Sequence, residues 1–120
     1  MISEAINTII KDVCDFYPLY GDINREKNFG VYKINTTPIR TKDGLGGYKG
    51  TINIGVINEV MADCETQSKS VIALFEAIQN ATYNGTEITH IKLISEDYDF
   101  DIDEKLFYST LQFSYISKNE

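Results

Sequence analysis

The sequence predicts an α+β fold: a mixed or antiparallel sheet of four or more strands with two helices packed on one face, in the order α-β-β-α-β-β. Three observations carry this. Residues 63–81, DCETQSKSVIALFEAIQNA, have the spacing of a long amphipathic helix, with Val71, Leu74, Phe75 and Ile78 on one face. Stretches that alternate apolar and polar residues flank it on both sides and supply the flat surface such a stripe needs. Hydrophobic residues make up 42% of the chain, with eight Tyr, six Phe and no Trp, which is the composition of a folded core rather than a disordered segment. At 120 residues, a single domain over 1–120 is expected, able to bury a core without disulfide or metal staples.

Taken in order, Ser3 is placed to cap a first helix from 4 to about 14, whose stripe is Ile2, Ala5, Ile6, Ile9, Ile10 and Val13. Glu4 suits the positive end of its dipole. Pro18 and residues 17–20 end it, and the charged stretch 21–28 reads as a surface loop. Residues 29–37 form a strand in which Tyr32 and Ile34 alternate with Lys33 and Asn35. Pro38 follows, and then IRTKDGLGGYKG, with Gly44, Gly46, Gly47 and Gly50, is expected to be the mobile tip of a long hairpin. The strand at 48–59 turns Tyr48, Ile52, Ile54 and Val56 inward. Asp63 or Thr66 would cap the long helix, and Asn84-Gly85 lies just past its end. After a turn at 83–86, residues 87–94 return as a strand, and 96–104 continue in acid–apolar alternation. Leu106–Ser117 ends the set, with Phe107, Leu111, Phe113 and Tyr115 on one face and Tyr108, Thr110, Gln112 and Ser114 on the other.

Charge and motif chemistry exclude several functions. Eighteen acidic against eleven basic residues give a net charge of −7. That field repels phosphate backbones, and no Lys/Arg cluster offsets it, so sequence-specific nucleic-acid binding is not expected. Cys14 and Cys64 lack CxxC or Cys-His spacing and read as two unrelated thiols. The first ten residues lack the basic and cleavage regions of a signal peptide, and no apolar run reaches the ~20 residues of a membrane span. Asp97, Asp99, Asp101 and Asp103 mimic the alternate ligands of a calcium loop, but Ile102 stands where its glycine belongs and Tyr108 where its bidentate glutamate belongs. A strand spaces such carboxylates at ~7 Å, so an acidic, partner-facing surface is expected instead. GLGGYKG lacks the Lys-Ser/Thr pair and following helix of a phosphate loop. His90, the one histidine, has no nucleophile motif beside it. No catalytic residue, metal or cofactor is expected. The uncharged run Tyr108, Thr110, Gln112 and Ser114 lacks the Lys or Pro that blunts free edges, so it is expected to lie under another subunit or under the first helix.

The element order, with the strand NFGVYKI, a glycine-bearing hairpin, YKGTINIGVINE, the helix ETQSKSVIALFEAIQNA and the terminal pair ITHIKLISEDYDFDID and LFYSTLQFSYI, resembles the tail-terminator (tail-completion) proteins of long-tailed bacteriophages. The resemblance runs over nearly the whole chain, with a loose match at 28–32. It implies a structural protein of the virion tail or neck, assembled in the host cytoplasm. Such proteins form a hexameric ring that closes the head-proximal end of the tail tube and meets the head connector. On this reading the tube protein, the connector and further copies of the chain are its partners, and Ile39, Arg40, Lys42, Leu45, Tyr48, Tyr108, Thr110 and Gln112 are candidate contacts. Rival readings are another neck or connector protein, or a small ligand- or peptide-binding module, for which no defining polar pocket group is evident.

Overall fold

The computed structural model describes residues 2–14, 16–18, 28–42 and 44–119, apart from the side chains of Pro18 and Leu45. Along the chain these form α1 (Ile2–Ile10), β1 (Phe16–Pro18), β2 (Phe29–Thr41), β3 (Gly44–Asn58), α2 (Met61–Glu76), β4 (Gln79–Tyr83), β5 (Thr86–Asp101) and β6 (Leu106–Ser117). The fold is α+β, but its order is α-β-β-β-α-β-β-β rather than α-β-β-α-β-β. Both additional strands are short. β1 is three residues long, too few to show a period, and falls where the sequence suggests only a helix stop. β4 occupies residues that the helical spacing had assigned to the end of the long helix. The stretch expected as a surface loop, 21–28, lies outside the described residues except for Asn28.

The long helix is displaced towards the N-terminus. It starts at Met61 behind Val60, which makes no side-chain cap, so neither Asp63 nor Thr66 caps it. Asn58 does that work from two residues upstream: its Oδ1 accepts from the Val60 amide at 2.9 Å, and its Nδ2 donates to Gln67 Oε1 at 3.1 Å. The helix ends at Ala77, and Asn80, the second residue of β4, takes a positive φ of 49°. Asn84 (φ 49°) and Gly85 (φ 81°) then form the two-residue turn between β4 and β5 instead of a helix cap. Leu74 does not join the buried stripe; Cys64, Ser68, Val71 and Phe75 form it. The first helix begins at Ile2 and is regular only to Ile10, so Ser3 lies within its first turn rather than capping it.

The six strands form one sheet in the order β1-β2-β3-β6-β5-β4, with β1 parallel to β2 and the other neighbours antiparallel. Ile52, Ile54 and Val56 of β3, Leu111, Phe113 and Tyr115 of β6, and Ile88 and Ile91 of β5 share one face. They are buried with Ile2, Ala5, Ile6 and Ile10 of α1 and Cys64, Val71, Phe75 and Ile78 of the α2 region. Both helices therefore cover the same face. The Phe75 and Phe113 rings meet edge-to-face there at 4.8 Å and 89°.

The hairpin expected as a mobile tip is strand almost to its end. β2 and β3 pair through Arg40↔Leu45 and Thr41↔Gly44, with a bulge in β3 at Gly46 and Gly47 opposite Ile39 and positive φ at Gly44 and Gly47. β6 accompanies β3 only as far as Tyr48, so this hairpin projects past the sheet at one end. At the other end β6 stays beside β3 as far as Asn58↔Phe107, so the β5–β6 hairpin closes only one pair further on, at Asp101↔Leu106; the long dimension of the molecule is 53 Å.

Candidate assembly surface

The face of the sheet away from the helices carries few large apolar groups. Four registered rows cross it: Asn35–Thr51–Ser114–Lys92, Lys33–Asn53–Gln112–Ser95, Val31–Gly55–Thr110–Asp97 and Phe29–Ile57–Tyr108–Asp99. Small uncharged polar residues fill the middle, Lys33 stands on the β2 side, and Lys92, Asp97 and Asp99 stand on the β5 side. At one end Phe29, Ile57 and Leu106 form a second small apolar cluster with Tyr17, Val31 and Tyr108, and Tyr17 meets Phe29 at 6.3 Å. Tyr108, Thr110 and Gln112 thus lie on an uncovered face. Cover by the first helix does not hold, because both helices lie on the opposite side; β6 is central and has no free edge, so what this run offers to another subunit is its open face.

The structure separates the candidate contacts into two groups. Tyr108 and Thr110 stand directly beside Asp99 and Asp97, a pairing across β5 and β6 that the sequence did not reveal. Ile39, Arg40, Lys42, Leu45 and Tyr48 belong to the projecting β2–β3 hairpin; Arg40 and Lys42 are exposed. Tyr48 is opposite Ser117, on the helix-covered side, and Gln112 lies five residues away along β6, about 17 Å at strand rise. Asp103 is in the turn after β5, where its amide and that of Glu104 donate to Asp101 Oδ1 at 2.9 and 3.1 Å. Among the described residues no three His, Cys, Asp or Glu side chains converge as metal ligands. His90 is on β5, half-buried beside the end of α2. Cys64 is a buried thiol outside any disulfide; burial pushes it up, with a hydrogen bond from Ser68 opposing it. Burial, with Asp101 and Glu104 next, also raises the Tyr108 phenol.

One polar cluster ties β5 to α2. Tyr98 Oη donates to Glu96 Oε2 at 2.7 Å, and Lys69 Nζ donates to both Glu96 oxygens at 3.1 and 3.0 Å. The Tyr98 hydroxyl, then Lys69, hold the Glu96 carboxyl below its ordinary range. Burial, then Glu96, push Tyr98 up from 10.0 to about 12. The signs follow from linkage. The Glu96 contribution is present above the ordinary carboxylate pKa and is lost as pH falls through the lowered value. The Tyr98 contribution is complete below pH 10.0 and is lost as pH rises towards about 12. Tyr98→Phe is expected to cost about 1 kcal/mol at neutral pH in urea unfolding, given partial exposure of the pair. It also removes a phenol that titrates towards about 12 from an alkaline absorbance titration and raises the Glu96 midpoint in a carboxyl NMR titration.

The fold and this surface define a class: a helix-backed sheet with one polar face uncovered and the β2–β3 hairpin extended beyond it. A chain in the virion of native gene transfer agent (GTA) particle has this fold, with a TM-score of 0.69 and 9% identity over 94% of this chain and 84% of that one. A second solved structure, whose name states no role, matches with a TM-score of 0.56 and 12% identity over 97% of this chain and 92% of that one. No protein-family model matches the sequence, and no curated protein matches it significantly. At these identities the likeness establishes a fold shared with a virion component.

Proposed function

We propose that this chain is a structural virion protein, a tail terminator whose copies form a ring, most simply a hexamer, that caps the tail tube and joins it to the head connector. The observation that carries the reading is the fold shared with a virion chain over 94% of the length. The shape of the surface supports it: a single chain leaves a broad polar face and the projecting β2–β3 hairpin for other subunits. The work of such a protein is done by surfaces, so it needs no catalytic group or cofactor. The net charge of −7 suits a ring through which DNA passes without adhering. The hairpin residues Ile39, Arg40, Lys42, Leu45 and Tyr48, and the face residues Tyr108, Thr110 and Gln112, are the proposed contacts with neighbouring copies and the tube.

Mass measured by light scattering on a sizing column, at low and high protein concentration, is expected to reach six chains or to grow towards six with concentration. Added to polymerising tube protein, the chain is expected to stop elongation and shorten the tubes. An oligomer that leaves tube length unchanged points to another neck or connector protein. A monomer at every concentration, with no effect on tube length, removes the reading.

A further inference from the structure

Two strand edges remain unpaired among the described residues, and they are unlike. β1 covers β2 only from Gly30 to Tyr32, leaving 33–41 open; β4 covers β5 only from Thr86 to His90, leaving 91–101 open. The β5 stretch is interrupted by a bulge at Ile94, and the regular pairing of β2 stops at Ile39, opposite the bulge that Gly46 and Gly47 make in β3. That leaves two regular segments of similar length, 33–38 and 95–101. An unpaired edge is a template for another strand unless it is guarded. Here the guards are opposite in sign. The β2 edge carries Lys33 and, towards its tip, Arg40 and Lys42, with no acid among its described residues; the regular β5 segment carries Glu96, Asp97, Asp99 and Asp101. Glu96 is engaged by Lys69, but Asp97, Asp99 and Asp101 pair with no cation among the described residues.

Resting on the ring reading above, we infer that the β2 edge of one copy adds antiparallel to the β5 edge of the next, Lys33 opposite Asp101 and Thr37 opposite Asp97, so that one sheet runs through successive subunits. This register keeps each side of the sheet consistent. Lys33, Asn35 and Thr37 meet Asp101, Asp99 and Asp97 on the open face, with an ion pair at one end. On the helix side Ile34 meets Phe100, a ring left 42% exposed in the single chain. Two-fold pairing of β5 with itself would set aspartates against aspartates, so the contact is head-to-tail, the type that closes rings. The edges also sit at different heights. Lys33 shares a row with Ser95, so placing it opposite Asp101 slides neighbours by six residues, or about 20 Å along the strands. Across the four strands β2, β3, β6 and β5, which span about 19 Å, that slide corresponds to a strand tilt of about 45°, within the range of closed barrels.

The test is the double variant Asn35→Cys/Asp99→Cys, at two exposed positions directly opposed in this register, oxidised and run on a non-reducing denaturing gel beside the two single variants. The expected result is a covalent ladder ending at the ring size in the double variant, and no ladder in either single variant. Lys33→Glu, measured by light scattering, is expected to weaken association at least tenfold and to do so less at high salt. An assembly of six by light scattering with no ladder overturns the edge pairing and leaves the ring reading standing. A monomer with no ladder at the highest concentration overturns the edge pairing, and the ring reading falls with it only where tube length is also unaffected.

Discussion

Phe75→Ala is expected to lower the unfolding free energy by about 3–5 kcal/mol, measured by urea denaturation of the isolated chain. Phe75 has no exposed surface, sits on the buried stripe of α2 and presents its ring to the edge of Phe113 at 4.8 Å. Truncation removes the transfer free energy of a phenyl group and the aromatic contact, and leaves a cavity between helix and sheet that a central strand cannot close by moving. Small domains hold only about 5–15 kcal/mol in total, so the variant loses a large share of its stability. The contrast that gives the result meaning is Leu74→Ala. On helical spacing alone Leu74 and Phe75 belong to the same stripe, yet Leu74 is 41% exposed. Its truncation is expected to cost under about 1 kcal/mol. Equal losses at the two positions would contradict the placement of α2.

Gly50→Ala is the second large effect, and its sign is not obvious in advance. Replacing glycine usually restricts the unfolded chain and stabilises by about 0.4–1 kcal/mol. At this position a Cβ would overlap the carbonyl oxygen of Asn35 on the neighbouring strand and come within 3.0 Å of the Tyr115 ring. The first obstacle is backbone and cannot turn aside. The second is held by the 2.6 Å hydrogen bond between Tyr115 Oη and Thr36 Oγ1. The clash therefore outweighs the entropy gain, and a net loss of about 1–3 kcal/mol is expected, larger for Gly50→Val. Amide exchange checks the mechanism: faster exchange should appear first around 34–37 and 49–51, where β2 and β3 separate. Unchanged protection there, with stability unchanged, would show that the strands have room for a methyl group.

Elements with a sustained period were legible in the sequence. The last strand, Leu106–Ser117, has the predicted bounds and the predicted division of faces, because the alternation of Leu111, Phe113 and Tyr115 with Gln112 and Ser114 leaves one orientation that buries the three apolar side chains. The α+β class, the inward set Ile52, Ile54 and Val56, and the core role of Val71 and Phe75 followed from the same periodicities. The short elements were not legible. FYP is too brief to alternate, and in QNATY the spacing of Ile78 and Ala81 continues a helical pattern after the backbone has left the helix. The start of α2 was misplaced because its capping oxygen belongs to Asn58, still inside the preceding strand. The glycine-rich tip looked like a loop because glycines weaken strand propensity, yet cross-strand pairing with β2 overrides local preference.

The candidate surface divides in the same way. The sequence by itself determined which residues share a side of a strand, including the aspartates and the Tyr108–Ser114 run, since alternation is a property of one strand. Strand order was decided only by tertiary structure. It set β6 between β3 and β5, brought Asp97 and Asp99 beside Thr110 and Tyr108, and left the basic edge of β2 and the acidic edge of β5 on opposite sides of the sheet. Pairing partners far apart in sequence are chosen by the packing of the whole core, and no local pattern encodes that choice.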